Sequence, residues 1–157
     1  MNGKAQVHRE QKRLDETFNR ASLMKDPDPE LLADFARYLC VLVSGFLEQS
    51  VIEILLEHTR GQASPSIQRF AGTKLQRFST ANAHNVKELI GSFDPAWYGD
   101  LDAYLVAEHK DALDSVVNIR HAVAHGRFVG VTLAAARRYY ERVKEVVNHI
   151  SNLCLGP

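Results

Sequence analysis

The sequence lacks any imbalance of charge. Nineteen Lys and Arg residues face nineteen Asp and Glu, leaving a formal net charge of zero over 157 residues. Proteins that coat nucleic acid nonspecifically rely on a general basic field, so this balance excludes that class and leaves room only for a local cationic site. Cysteine is scarce. Cys40 and Cys154 each lie in an apolar run, and no C-x-x-C spacing offers a zinc site. Both read as small buried hydrophobes, and a reducing cytoplasm is the expected home. The opening "MNGKAQVHREQKRLDE" has no apolar stretch resembling a secretory signal. The longest apolar run, "YLCVLVSGFL", is too short for a bilayer span and meets Glu48 and Gln49, so no membrane association is expected. Low-complexity tracts, internal repeats and hairpin turn signals are also missing.

What is present is helical periodicity almost throughout. A first helix is expected from about Lys4 to Leu23, with Val7, Leu14, Phe18 and Ala21 on one face. "KDPDPE" breaks it and starts a second, in which Asp28 caps, Pro29 takes the first helical position and Glu30 suits the positive dipole end. This second helix should reach about Thr59, with Gly61 ending it; it is apolar nearly all round from Leu39 to Leu56 and so should be the buried centre. Ser64 and Pro65 open a short helix carrying Ile67, Phe70, Leu75 and Phe78, and another carries Val86, Leu89, Ile90 and Phe93. "DPAWYGD" reads as a turn-rich connection to a long helix from about Leu101 to His125, stopped by Gly126. Thr132 caps a last helix whose Leu133, Ala136, Tyr140, Val143, Val147, Ile150 and Cys154 form a packing seam. The expectation is an all-α bundle of about five to six helices in one domain, 1–157, with an N-terminal helix in 1–27 and the bundle core in 28–157.

The stretch "NIRHAVAHGR", Asn118 to Arg127, departs from this pattern. Advancing about 100° per residue, Leu113, Val116, Val117, Val123 and Ala124 make one apolar stripe, with Arg120 near its middle. A guanidinium cannot shed its charge, so Arg120 needs a buried acid, an interface or an anionic ligand. Glu48 and Glu53, both on the second helix, are candidate acids. Asp114, Asn118, His121 and His125 line a neighbouring polar flank. His121 and His125, one turn apart, have the spacing of a metal pair, but no third ligand stands at a matching spacing; no metal and no cofactor is expected. A solvated pair stabilised by the helix dipole is the plainer reading.

The chemical reading pairs Arg120 with His125. Metal-free RNA cleavage needs an imidazole to move protons at the ribose 2′-hydroxyl and the leaving oxygen, and a fixed cation for the charge developing on phosphorus. Histidine and arginine suit those roles. Positions 120 and 125 differ by about 140° around a helix, so one copy does not easily bring both side chains to one atom. The negative end of the helix dipole also repels phosphate. A two-fold dimer meets both difficulties by setting a second Arg120 and His125 opposite the first.

"RHAVAHG" resembles the R-x-x-x-x-H motif of HEPN domains, in which a polar residue often follows the arginine. "CVLVSGFLEQSVIEILLE", "ELIGSFDPAW" and "KDALDSVVNIRHAVAHG" followed by "GVTLAAARRYYERV" resemble its RiboL-PSP-HEPN branch over roughly Leu31 to Ile150. The resemblance implies a bundle that dimerises through the motif helices, and a metal-independent endoribonuclease acting at a composite cleft. It also implies roles as a toxin or in defence against phage, with a possible antitoxin protein as partner. Arg120 would then hold the scissile phosphate and His125 would be the acid/base, with His121 at the variable polar position in support. Glu48 matches an acidic residue of the facing helix that would orient Arg120 or a histidine; a plain buried ion pair is the alternative. Some members of the family are noncatalytic modules binding RNA, a nucleotide or a protein. Lys74, Arg77, Arg137 and Arg138 are ordinary surface candidates for contacts to the RNA backbone.

Overall fold

The computed structural model describes residues 2–157; Met1, the first position of the expected domain, lies outside the described residues. Seven helices follow in order: α1 (Gly3–Ser22), α2 (Pro29–Gln62), α3 (Pro65–Leu75), α4 (Ala83–Gly91), α5 (Pro95–Tyr104), α6 (Ala107–Ala124) and α7 (Leu133–Leu155). There is no strand among the described residues. The all-α bundle read from the sequence is thus the observed class, with one helix more than expected.

α2 is the axis. Asp28 accepts from the Glu30 and Leu31 amides at 2.8 and 3.2 Å, and Pro29 begins the helix, so the start is as the sequence specifies. Leu39, Cys40, Val43, Leu47, Val51, Ile54 and Leu55 are fully buried, and α1, α3, α6 and α7 pack around them. The 34-residue helix is long and apolar enough to cross a membrane by length and composition, which corrects the expectation that this region is too short; 61% of its most apolar 18-residue window is buried in the bundle. Burial pushes the Cys40 and Cys154 thiols up to about 12, as for inert core groups.

α1 and α7 lock together beside α2. The Phe18 and Tyr140 rings stack at 4.6 Å, and the buried Tyr140 hydroxyl donates to Asp15 Oδ1 at 2.6 Å. Burial and the Asp15 carboxylate both push that phenol well above its ordinary range. The seam of α7 is as read: Ala136, Tyr140, Val143, Val147, Ile150 and Cys154 are buried, and Thr132 accepts from the Ala135 amide.

The departures lie in the shorter segments. "DPAWYGD" is not a connection but the start of α5, where Asp94 accepts from the Ala96 amide and Pro95 is the first helical residue. The expected helix from Leu101 to His125 is broken at Leu105 and Val106, and Ala107 takes φ +48°. The break allows Leu101 and Leu105 both to enter the core from a separate direction. Gly61 does not end α2; the helix runs one residue further, and Ala63 closes it by donating to the Thr59 carbonyl. Ser64 stands at the cap position of α3 without a capping hydrogen bond. Ile67 and Phe70 are exposed, so α3 touches the core mainly through Leu75.

Replacing Tyr140 by Phe keeps the ring stack and leaves Asp15 facing a hydroxyl-sized gap. The expected loss is about 1–3 kcal/mol of unfolding free energy, measured by urea denaturation. A second test is Gly91→Ala on α4. A Cβ there would sit 2.7 Å from Tyr98 Cβ of α5, so thermal unfolding of the variant should begin at clearly lower temperature.

Candidate active site at the end of α6

α6 buries Ala112, Leu113, Val116, Val117 and Ile119. The stripe drawn through Val123 and Ala124 therefore stops short: both are exposed, Val123 at 41%. The core is reached by the first part of the helix only, and its last turn is exposed. Arg120 sits at that boundary, and its side chain is 37% exposed.

One nitrogen of the guanidinium is held from two sides. Arg120 Nη1 donates to Glu48 Oε2 at 3.3 Å and to the Ser79 carbonyl at 2.9 Å. Of the two acids considered, α2 supplies Glu48; Glu53 instead lines a groove between α1 and α2. Burial raises the Glu48 carboxyl above the usual carboxylate range, and the Arg120 charge pulls it only partway back. Ser79 was not foreseen. Its contribution is a backbone carbonyl, for which no side-chain pattern exists. The segment that provides it is well fixed: Asn85 Nδ2 donates to the Thr80 carbonyl at 2.9 Å, and the Ala83 amide donates to Asp114 Oδ1 at 3.0 Å. Asp114, read as part of the polar flank of α6, thus ties α4 to α6 and also accepts from Lys110 at 2.7 Å.

His125 is the C-cap residue of α6, just past its last helical position. The Gly126 amide donates to the Val123 carbonyl at 3.1 Å and the Arg127 amide to the Ala122 carbonyl at 2.8 Å, a Schellman closure. Gly126 has φ +66°, where a Cβ is strained, so the expected glycine stop is what the backbone uses. The closure leaves the His125 side chain exposed and His121 half-buried. Neither imidazole has a hydrogen-bond or ion-pair partner among the described residues, and both are open to a ligand or a second molecule. Among the described residues no three His, Cys, Asp or Glu gather as a metal site would need.

Beyond the motif the chain is strapped back onto α2. Arg37 Nη1 donates to the Val129 carbonyl at 3.1 Å, and its guanidinium lies 5.4 Å from the Phe128 ring centre. Phe128 is nonetheless 89% exposed, and Val123, Leu31 and Tyr38 are exposed as well. The end of α6 is thus a fixed cation, an open imidazole and uncovered apolar side chains.

Glu48→Gln tests the electrostatics. A carboxyl whose folded pKa is raised contributes stability at low pH that is lost as pH rises through the folded value. The melting temperature of Glu48→Gln minus that of the wild type should therefore climb from about pH 4.5 upward and then level off. A difference that falls with pH would mean that the carboxylate is favoured by its site.

No curated protein and no solved structure matches the chain. One family model does, over residues 8–156, a span that takes in most of α1 and the whole of the Arg120–His125 motif. That family suggests a ribonuclease or an RNA-binding module. The chain belongs to the RiboL-PSP-HEPN family.

Proposed function

We propose that the protein is a metal-independent endoribonuclease, working as a homodimer whose cleft carries two copies of the motif. The observation that supports this most directly is the pairing of a fixed, half-exposed Arg120 with an unpartnered, exposed His125 at the end of one helix. In the reaction the ribose 2′-oxygen attacks phosphorus and the bond to the 5′-oxygen breaks. The products are a 2′,3′-cyclic phosphate and a 5′-hydroxyl. One imidazole takes the 2′-hydroxyl proton and the other gives a proton to the leaving 5′-oxygen, so no net proton is consumed. His125 and the partner subunit's His125 are suited to these two roles by symmetry. Arg120 stabilises the charge on the phosphoryl oxygens, with Glu48 orienting it and His121 in support.

The need for a second copy follows from the surface. Val123, Ala124 and Phe128 are small or flat apolar groups left uncovered beside the motif. A two-fold partner would cover them with their own counterparts. It would also bring a second guanidinium to the negative end of the α6 dipole, where Arg127 already stands exposed. A toxin or anti-phage role in the cytoplasm, held in check by a partner protein, is consistent with such an activity.

Purified protein incubated with cellular RNA in excess EDTA should yield fragments with cyclic phosphate ends. Arg120→Ala should lower the rate by about 10²–10³-fold and His125→Ala by about 10²–10⁴-fold, in proteins that remain folded. Cleavage abolished by EDTA would sink the metal-free mechanism, and RNA left intact by a folded dimer would indicate a noncatalytic binding module. Val123→Asp should shift the sedimentation profile toward monomer and remove cleavage with it.

A further inference from the structure

Between Glu57 and Glu88 the sequence contains no acidic residue, while it holds Arg60, Arg69, Lys74, Arg77 and Lys87. In a chain of zero net charge that is a concentrated local excess. Arg60 is paired with Glu57 and Lys87 with Asp102. Arg69, Lys74 and Arg77 are exposed and have no carboxylate partner among the described residues. On a helical wheel Arg69, Phe70 and Lys74 fall within about 140° of one another, opposite Leu75, which is the buried contact of α3; Arg77 follows in the exposed turn two residues past the helix. Phe70 is 62% exposed, and Lys74 Nζ lies 5.5 Å from its ring centre. An exposed aromatic set among cations with no counter-charge is the composition that single-stranded nucleic acid requires: charges for the phosphates and a flat face for a base.

The strip also leads to the candidate site. Ser79, whose carbonyl holds Arg120, is four residues past the end of α3. Arg77 therefore lies within about 7 Å of Ser79 by backbone reach, and Leu75 within about 14 Å. The hydrogen bonds to Ser79, Thr80 and Ala83 fix this connection against α4 and α6, so strip and motif keep one relative placement.

We propose that the exposed face of α3 and the turn after it, through Arg69, Phe70, Lys74 and Arg77, bind single-stranded RNA and lead its backbone to Arg120. This rests on the ribonuclease reading above and assigns it a substrate form: an unpaired segment, because a base must be free to lie on Phe70. The three cations contact successive phosphates, and Phe70 stacks without regard to base identity.

The test uses the full chain carrying His125→Ala, so that RNA survives, and a fluorescein-labelled single-stranded RNA of about 16 nucleotides. Anisotropy should show that adding Arg69→Ala, Lys74→Ala and Arg77→Ala together weakens binding about tenfold or more. The slope of log affinity against log salt should shrink by about two. Phe70→Ala should weaken binding of the single strand by about fivefold or more, and Phe70→Trp should restore it. Lys12→Ala with Lys25→Ala, exposed cations of α1 and the α1–α2 connection, should change nothing. Circular dichroism checks that each variant is folded. If the parent binds RNA and the strip variants bind equally well, or the Lys12/Lys25 variant loses as much, the strip is wrong while the ribonuclease reading stands. Strip variants that lose binding to phosphatidylserine vesicles but keep RNA affinity would likewise overturn it in favour of a membrane surface. If wild type cleaves no RNA and the parent binds none, the ribonuclease reading itself falls and takes the strip with it.

Discussion

A helix that is apolar around its whole circumference has no face to give to water, and the architecture follows from hiding α2. Four helices pack on it, and their amphipathic stripes are the price of its burial. The same constraint makes any charge on α2 consequential. Glu48, with only 14% of its side chain exposed, must find a cation within reach. Arg120 answers it from α6, so the position of the motif arginine is set in part by the core, with the Ser79 carbonyl as its second anchor. A cation mounted in this way keeps its place without needing a ligand to order it.

His125 is placed by different physics. Its location depends on how α6 ends, and the Schellman closure fixes the backbone at Gly126 while leaving the imbalance of partners to the side chain. Arginine and histidine of one motif thus differ in constraint: one is anchored in the bundle, the other stands at an open helix end. That contrast suits the roles proposed above, a cation that stays still and an imidazole free to move a proton.

Much of this was legible in the residues. Asp28–Pro29 announced the start of α2, the seam of α7 could be read position by position, and Glu48 was one of two acids named for Arg120. The failures have physical causes. Asp94–Pro95 is the same cap-and-proline signal as Asp28–Pro29, but aromatic residues and Gly99 masked it, and α5 is held by burial of Leu101 that local pattern does not reveal. The stripe of α6 was extended through Val123 and Ala124 because periodicity reports chemical type and not which positions the rest of the fold covers. Ser79 could not be found, since a carbonyl is common to every residue. The all-α class and the family needed none of these details. The relation of Arg120 to its surroundings needed all of them.

The hydrogen bond from Arg120 to the Ser79 carbonyl has one further meaning. A carbonyl attracts a guanidinium but carries no net charge, so it steadies Arg120 without neutralising it, in contrast to Glu48. It is also indifferent to what side chain occupies position 79. The connection between α3 and α4 can therefore vary in sequence while the grip on the arginine is kept.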